Sequence, residues 1–246
     1  MPTASRQTRY FGYEIDRALF TEVAETIHKI KEGGSPKALG ELAANTLINI
    51  TDAGFDAYYA KPAELAGISG GVRKAADTGI NAVQKGIHMV VRKLLKNREL
   101  ADLRRLAHNL SYMICVDPDT VESINPKAYA CFRLKEELYQ RVINNMSRVH
   151  EDPDVASYRS DVVRSVEDLI AAGIDVFYTR PVDEANIGKL TRKAADFGIH
   201  TVQKGSNAVV HRLFKDMDHD TLLPMAEYFE TLLHSKVRSY HRLYMA

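Results

Sequence analysis

Residues 73–94 read RKAADTGINAVQKGIHMVVRKL, and residues 192–213 read RKAADFGIHTVQKGSNAVVHRL. The second stretch repeats the first after a shift of 119 positions, and about 21 of the 42 residues from 53 to 94 are identical to their counterparts. Elsewhere the same shift aligns apolar residues, such as Leu19 with Leu138. A solenoid has a period of roughly 20 to 50 residues. The chain is therefore predicted to be a tandem duplication of one domain-sized unit.

Apolar residues in each copy recur at spacings of three and four, and no alternating run is long enough to indicate a sheet. The sequence therefore predicts an all-α fold without strands, in which a four- to five-helix bundle occurs twice about a pseudo-two-fold axis. The predicted divisions are a first helical repeat over 1–114, a linker over 115–127 and a second helical repeat over 128–246.

Capping and helix-breaking residues set the predicted helix bounds. Gly33 and Gly34 end a first helix, Ser35 can cap the next, Pro36 suits its first turn, and Pro62 marks a break. The predicted helices cover 10–32, 36–60, 70–96 and 98–114 in the first copy, with a short turn after Pro62, and 128–150, 155–179, 188–215 and 220–242 in the second. The two longest are expected to lie near the axis that relates the copies.

Glycines inside the predicted helices are repeated between the copies. They are Gly54, Gly79 and Gly86 in the first copy and Gly173, Gly198 and Gly205 in the second. Glycine in a helix costs about 1 kcal/mol relative to alanine, so its presence in both copies implies a compensating close contact. We interpret these glycines as helix-packing positions; the alternative is room left for a ligand.

A set of polar residues is identical in the two copies. It comprises Asp56, Tyr59, Arg73, Asp77 and Gln84 in the first copy and Asp175, Tyr178, Arg192, Asp196 and Gln203 in the second. Arg73 and Asp77 can pair at i, i+4, although an exposed pair of this kind adds little stability. We predict either a structural network that fixes how two helices meet, or a ligand site in which the basic groups hold an anion while Asp and Tyr orient it.

The long helix of each copy also carries a basic face. Its cationic positions are Lys74, Lys85 and Arg92 in the first copy, and Lys193, Lys204 and His211 in the second. Such a helix can lie on an anionic membrane or meet an acidic partner. A solvated outer face is the preferred interpretation, on the argument that glycines interrupt the apolar strip and that Trp and Phe anchors are lacking.

Signals for catalysis are weak. Glu25 and His28 form an E-x-x-H, but their counterparts are Asn144 and Ser147, so a helical metal site is not expected. No P-loop, dinucleotide fingerprint or nucleophile-elbow motif occurs. We therefore predict no catalytic residue, metal site or cofactor. The alternative is a metal- or phosphate-dependent enzyme in the second copy, built on Asp218, His219, Asp220 and Arg192.

Composition limits the remaining function classes. Lys and Arg total 33 against 32 Asp and Glu, which removes the global electrostatic argument for nucleic-acid binding. No run of eighteen apolar residues and no apolar N-terminal segment occurs, which predicts a cytoplasmic protein without a transmembrane segment. The two cysteines, Cys115 and Cys131, are predicted to be free thiols rather than a single bridge.

These observations predict a non-enzymatic binding or scaffolding protein that uses the groove between the two bundles. Its partner would be a protein or a small anionic ligand. The alternatives are the enzyme described above and a protein that associates with a membrane surface through the basic faces. Further oligomerisation is left open.

Overall fold

A computed structural model describes residues 8–180, 183 and 189–245, and most of them are helical, as predicted. The α-helices are α1 (Arg17–Glu32), α2 (Pro36–Phe55), α3 (Lys61–Leu65), α4 (Gly70–Leu95), α5 (Leu100–Met113), α6 (Glu136–Glu151), α7 (Arg159–Ile174), α8 (Lys189–Phe214), α9 (His219–Thr231) and α10 (Tyr240–Tyr244). The strands are β1 (Tyr10–Ile15), β2 (Ile114–Val116), β3 (Ala128–Arg133), β4 (Leu233–His234) and β5 (Arg238–Ser239). Short 3₁₀ turns cover Pro118–Thr120 and Val155–Ser157, and π-helical turns cover Asp56–Ala60 and Asp175–Thr179.

The prediction that strands are absent is wrong. The strands form one antiparallel sheet in the order β4-β1-β3-β2-β5, so the fold is mostly helical but not all-α. β1 and β3 occupy the starts of the segments predicted as helices 10–32 and 128–150. Each has only six residues, and three consecutive positions of each are buried, so neither shows the alternation of a half-exposed strand. Short apolar runs of this kind cannot be assigned by periodicity.

The sheet register follows the 119-residue shift found in the sequence. At the centre of the β1–β3 pair, Gly12 faces Cys131, which lies 119 positions further along the chain. Two outer pairs exchange with each other under the same shift, namely Phe11↔Leu233 and Ile114↔Ala130. Under this shift β1 corresponds to β3 and β2 corresponds to β4, and the pairing of β4 with β1 matches the pairing of β2 with β3.

Cys115 in β2 and Cys131 in β3 form a disulfide, with their Cα atoms 6.3 Å apart. Both side chains are fully buried. The prediction of two free thiols is wrong because it could not include the pairing of β2 with β3, which brings the two residues together. The segment predicted as a linker, 115–127, thus begins within a strand and leads directly into β3.

The second predicted helix does not break at Pro62. α2 passes into the π-helical turn Asp56–Ala60, and α3 continues through the proline. The backbone N–H of Lys61 donates to the carbonyl of Asp56, five residues earlier rather than four. Since proline supplies no N–H and its ring crowds the preceding turn, the wider π turn accommodates Pro62 where a regular α-helix would kink. The last predicted helix, 220–242, is also wrong in extent, because α9 ends at Thr231 and β4 follows.

The main hydrophobic core lies between the sheet and the helices that cover it, with α1, α2, α5 and α6 contributing buried side chains. Two of the repeated glycines lie against aromatic rings of the sheet. A Cβ built on Gly54 would lie 3.3 Å from the ring of Tyr13, and one built on Gly173 would lie 3.6 Å from the ring of Phe132. These glycines let α2 and α7 approach the sheet, so their close neighbour is a ring rather than another helix backbone.

The two longest helices, α4 and α8, pack against each other in opposite directions. A Cβ built on Gly79 would lie 2.8 Å from Cγ2 of Val209, and one built on Gly198 would lie 2.6 Å from Cγ2 of Val90. The close helix contact predicted at these glycines is present, although each glycine meets a valine methyl group rather than a neighbouring backbone. Each contact pairs a glycine of one helix with a valine of the other.

Candidate functional site

A long depression, the α4–α8 groove, follows the outer side of the two packed helices. Its volume is about 510 Å³. It is lined by Ala75, Gly79, Ala82, Val83, Gly86, Met89, Val90, Lys93 and Leu94 of α4 and by Phe197, Gly198, Thr201, Val202, Gly205, Ala208, Val209 and Arg212 of α8. Most of these side chains are small and apolar. Glycine, alanine and threonine have small side chains, so the two helix axes can approach closely. The valines of each helix then contact the glycines of the other, and the small side chains on the outer side leave a trough.

Two large apolar side chains of the groove are open to solvent. Phe197 is 75% exposed and Met89 is 66% exposed. Sequence reasoning missed both. Phe197 stands where the first copy has Thr78, and Met89 where the second has Ala208, so a comparison of identical positions passed over them. The argument that the basic face lacks an aromatic anchor was therefore wrong.

The charge along the two helices is strongly one-sided. Together α4 and α8 contain ten Lys and Arg and only two carboxylates, a net charge of +8. The whole chain has a net charge of +1, so the remainder carries −7. The two carboxylates, Asp77 and Asp196, are each bound by an arginine of their own helix. The groove lining contains Lys93 and Arg212 and no acidic residue.

The predicted polar set forms a compact network at the start of α4. The hydroxyl of Tyr59, in the first π-helical turn, donates to Asp77 at 2.5 Å, and Nε of Arg73 donates to the same oxygen at 2.8 Å. The guanidinium carbon of Arg73 also lies over the Tyr59 ring, 5.4 Å from its centroid, which is within the ~6 Å reach of a cation–π contact. The hydrogen bond from Tyr59, helped by Arg73, lowers the pKa of Asp77. Burial, with the carboxylate beside it, raises the pKa of Tyr59.

The second copy repeats this network with looser geometry. Nε of Arg192 lies 3.0 Å from Asp196, whereas the Tyr178 hydroxyl lies 3.5 Å from the same carboxylate. Arg192 also binds Asp183 at 2.5 Å. Hydrogen bonds to Asp183 and Asp196 raise the pKa of Arg192. In both copies the network ties a π-helical turn to the beginning of a long helix.

The other predicted site residues are not part of these networks. Gln84 donates to Asp52 at 3.3 Å, beside the shorter contact between Asp52 and His88 at 2.7 Å. Gln203 cannot repeat that bond, since the counterpart of Asp52 is Ala171. Asp56 is exposed, and Asp175 pairs with Arg180 at 2.7 Å. None of the ten predicted residues lines the α4–α8 groove, and their role as a ligand site stays a prediction.

The alternative catalytic set does not converge on one point. Asp218 caps α9 by accepting from the backbone N–H of Thr221 at 3.0 Å, and His219 lies 2.8 Å from the carbonyl of Val149. Asp220 is fully exposed, and Arg192 is held by its own two carboxylates. Among the described residues no group of three or more His, Cys, Asp or Glu side chains could hold a metal ion.

Comparison with other proteins adds no assignment. No protein-family model matches the chain, and no curated protein or solved structure is significantly similar to it. Of the helices in the described ranges, none has both the length and the apolar character needed to cross a bilayer.

Proposed function

We propose that this chain is a binding protein that holds an anionic amphiphile in the α4–α8 groove. The observation that carries the proposal is the combination of an apolar trough with Lys93 and Arg212 and no carboxylate in its lining. The trough suits an alkyl chain, and Lys93 at one end and Arg212 at the other end can each pair with an anionic head group. A scaffolding role for the same groove would place the side chains of a protein there, whereas an anionic amphiphile matches both the apolar lining and the cations Lys93 and Arg212.

The internal symmetry of the groove supports its origin by tandem duplication. Under the 119-residue shift, the contact between Gly79 and Val209 becomes the contact between Val90 and Gly198. The sheet register behaves in the same way. We therefore infer a pseudo-two-fold axis that passes through the groove, with repeats over 1–114 and 128–246. On this proposal Lys93 and Arg212 are equivalent groups at related ends of one site.

A cytoplasmic location stays a proposal, and one feature weighs against it. Disulfides persist mainly in oxidising compartments, whereas cytosolic thiols are usually kept reduced. The buried disulfide between Cys115 and Cys131 is more typical of a protein in an oxidising compartment than of a cytosolic one. The proposed ligand site does not depend on the redox state of these cysteines, because the disulfide lies in the sheet and the groove lies between α4 and α8.

The proposal is tested by calorimetric titration of the 246-residue chain with decyl phosphate below its micelle concentration. Decanol is the uncharged control. Saturable binding of the phosphate is expected. Replacing Lys93→Met together with Arg212→Met should weaken binding by at least about tenfold, since charge-assisted contacts are lost. Ala82→Phe with Thr201→Phe should abolish binding by filling the trough.

Matched controls are the exposed lysines Lys37 and Lys135, whose replacement by methionine should leave the affinity unchanged. Melting curves confirm that each variant is folded. Equal binding by the groove variants and the wild type would show that the ligand sits elsewhere and would overturn the proposal.

A further inference from the structure

We propose that the outer face of α4 and α8 docks onto an anionic lipid bilayer. This inference rests on the proposed function, because it identifies the source of the amphiphile as a membrane surface rather than a free molecule. It goes further in requiring the whole face, not the groove alone, to meet the ligand.

The outward stripe of each helix combines two cationic side chains with three that are apolar or small. Exposed residues recur every three or four positions, as one side of a helix requires. They are Thr78, Ala82, Lys85, Met89 and Lys93 on α4 and Phe197, Thr201, Lys204, Ala208 and Arg212 on α8. Since the helices are antiparallel neighbours, the two stripes form one broad surface.

Met89 and Phe197 are the features that favour a bilayer over a soluble anion. Each is more than half exposed beside the groove, where a small ligand lying in the trough would leave its outer side in water. A bilayer would bury both side chains at the depth of the head groups and upper acyl chains, as it does for the apolar face of an interfacial helix.

The charge of the face supplies the attraction. Lys85 and Lys204 stand at equivalent places on the two helices, and both are exposed. In the described part of the chain no carboxylate lies within ion-pair distance of either. Because the rest of the chain is net acidic, an anionic surface would attract this face and repel the others. Nucleic acids share the negative charge, but their interfaces are strongly polar and would give the two apolar side chains no partner.

The absence of tryptophan from the chain allows a direct test. Phe197→Trp places a single fluorophore on the face, and Ile124→Trp places one at an exposed apolar position elsewhere. Adding vesicles of phosphatidylcholine and phosphatidylglycerol should shift the emission of the first variant to the blue and make it quenchable by brominated lipid. Pure phosphatidylcholine vesicles should not do so. An unshifted emission, or an equal shift at Ile124→Trp, would overturn the proposal.

Co-sedimentation with the same vesicles measures the contributions of charge and apolar contact. The double variant Lys85→Glu/Lys204→Glu should have a partition coefficient at least about tenfold lower than that of the wild type. Raised salt should also lower the partition coefficient of the wild type. Met89→Gln with Phe197→Gln should also reduce it. Two control variants should bind like the wild type. They are the double variant Lys37→Glu/Lys135→Glu and the single variant Ile124→Gln.

The outcomes separate this inference from the proposed function. Binding of decyl phosphate without vesicle binding overturns the docking surface and leaves the groove proposal intact. Vesicle binding that depends on Lys85 and Lys204, without decyl phosphate binding, supports the docking surface and overturns the proposal of a ligand seated in the groove. Tighter binding to a double-stranded RNA than to vesicles would overturn the lipid assignment in favour of a nucleic acid.

Discussion

The Cγ2 methyl group of Val209 packs directly over the Cα of Gly79, where a Cβ atom would lie only 2.8 Å away. Valine cannot easily withdraw, because its branched side chain has few rotamers in a helix. We expect Gly79→Leu, and equally Gly198→Leu, to lower the free energy of unfolding by about 1–3 kcal/mol through overpacking.

Thermal melting followed by circular dichroism measures this effect. Gly71 provides the control, because it lies in the same helix α4 and a Cβ there would meet nothing within 4 Å. Gly71→Leu should melt close to the wild type. If all three variants melt alike, α4 and α8 do not pack through these glycines.

The tyrosine networks make a second prediction, because the two copies differ in geometry. The hydroxyl of Tyr59 lies 2.5 Å from its carboxylate, whereas that of Tyr178 lies 3.5 Å away. Tyr59→Phe should therefore cost about 1.5–3 kcal/mol, the usual range for a hydrogen bond to a charged group, and Tyr178→Phe should cost clearly less. Urea denaturation of both variants measures the difference. Equal costs would mean that the two hydrogen bonds are equivalent in solution.

The same network predicts a pH dependence. The hydrogen bond from Tyr59 and the neighbouring Arg73 lower the pKa of Asp77 in the folded chain. A lowered pKa stabilises the fold above the ordinary pKa of aspartate, about 3.9, and this stabilisation is lost as the pH falls through the folded-state value. The difference in unfolding free energy between the wild type and Asp77→Asn should thus be full at neutral pH and shrink in acid. A difference that is constant over that range would contradict it.

The helical part of the fold was well predicted from the sequence because its signals are local. Ser35 and Pro36 mark the start of α2, and the repeated stretch defines α4 and α8 to within a residue or two. Asp16 was a further signal that went unused: its side chain accepts from the backbone N–H of Leu19 at 2.8 Å and caps α1, which sets the helix start after the segment that forms β1.

The sheet was not predictable by the same means. β1 pairs with β3, more than a hundred residues away, so no short hairpin turn could signal this central pairing. The exposed apolar residues of the groove were missed for a different reason. The comparison of copies selected identical polar residues as the candidate site, none of which lines the groove, whereas Met89 and Phe197 differ between the copies. Identity between repeats favours residues that the fold needs twice.

A buried polar contact shows that the fold can also repeat an interaction without repeating its residues, and this contact can be tested. The hydroxyls of Thr26 and Thr46 lie 2.9 Å apart between α1 and α2, and the amide of Asn145 donates to the hydroxyl of Ser165 at 2.8 Å between α6 and α7. The residues correspond under the 119-residue shift although none is identical. Thr46→Val should cost about 1–3 kcal/mol, because it leaves the buried Thr26 hydroxyl without this partner. Thr26→Val combined with Thr46→Val should cost less than Thr46→Val alone, and a strictly additive double variant would show that the two hydroxyls are not coupled.

The disulfide between Cys115 and Cys131 makes the last prediction. The unfolded but unreduced protein should resist alkylation by iodoacetamide, whereas the reduced protein should gain two groups, as counted by intact mass. Because the bridge closes a loop of sequence separation 16, its loss should cost about 3 kcal/mol by the chain-entropy estimate. Cys115→Ala with Cys131→Ala, and wild type with reductant, should therefore show the same lowered melting temperature. Two alkylated cysteines without reductant would restore the free thiols expected from the sequence, and β2 would then be held to β3 by its backbone hydrogen bonds and buried side chains alone.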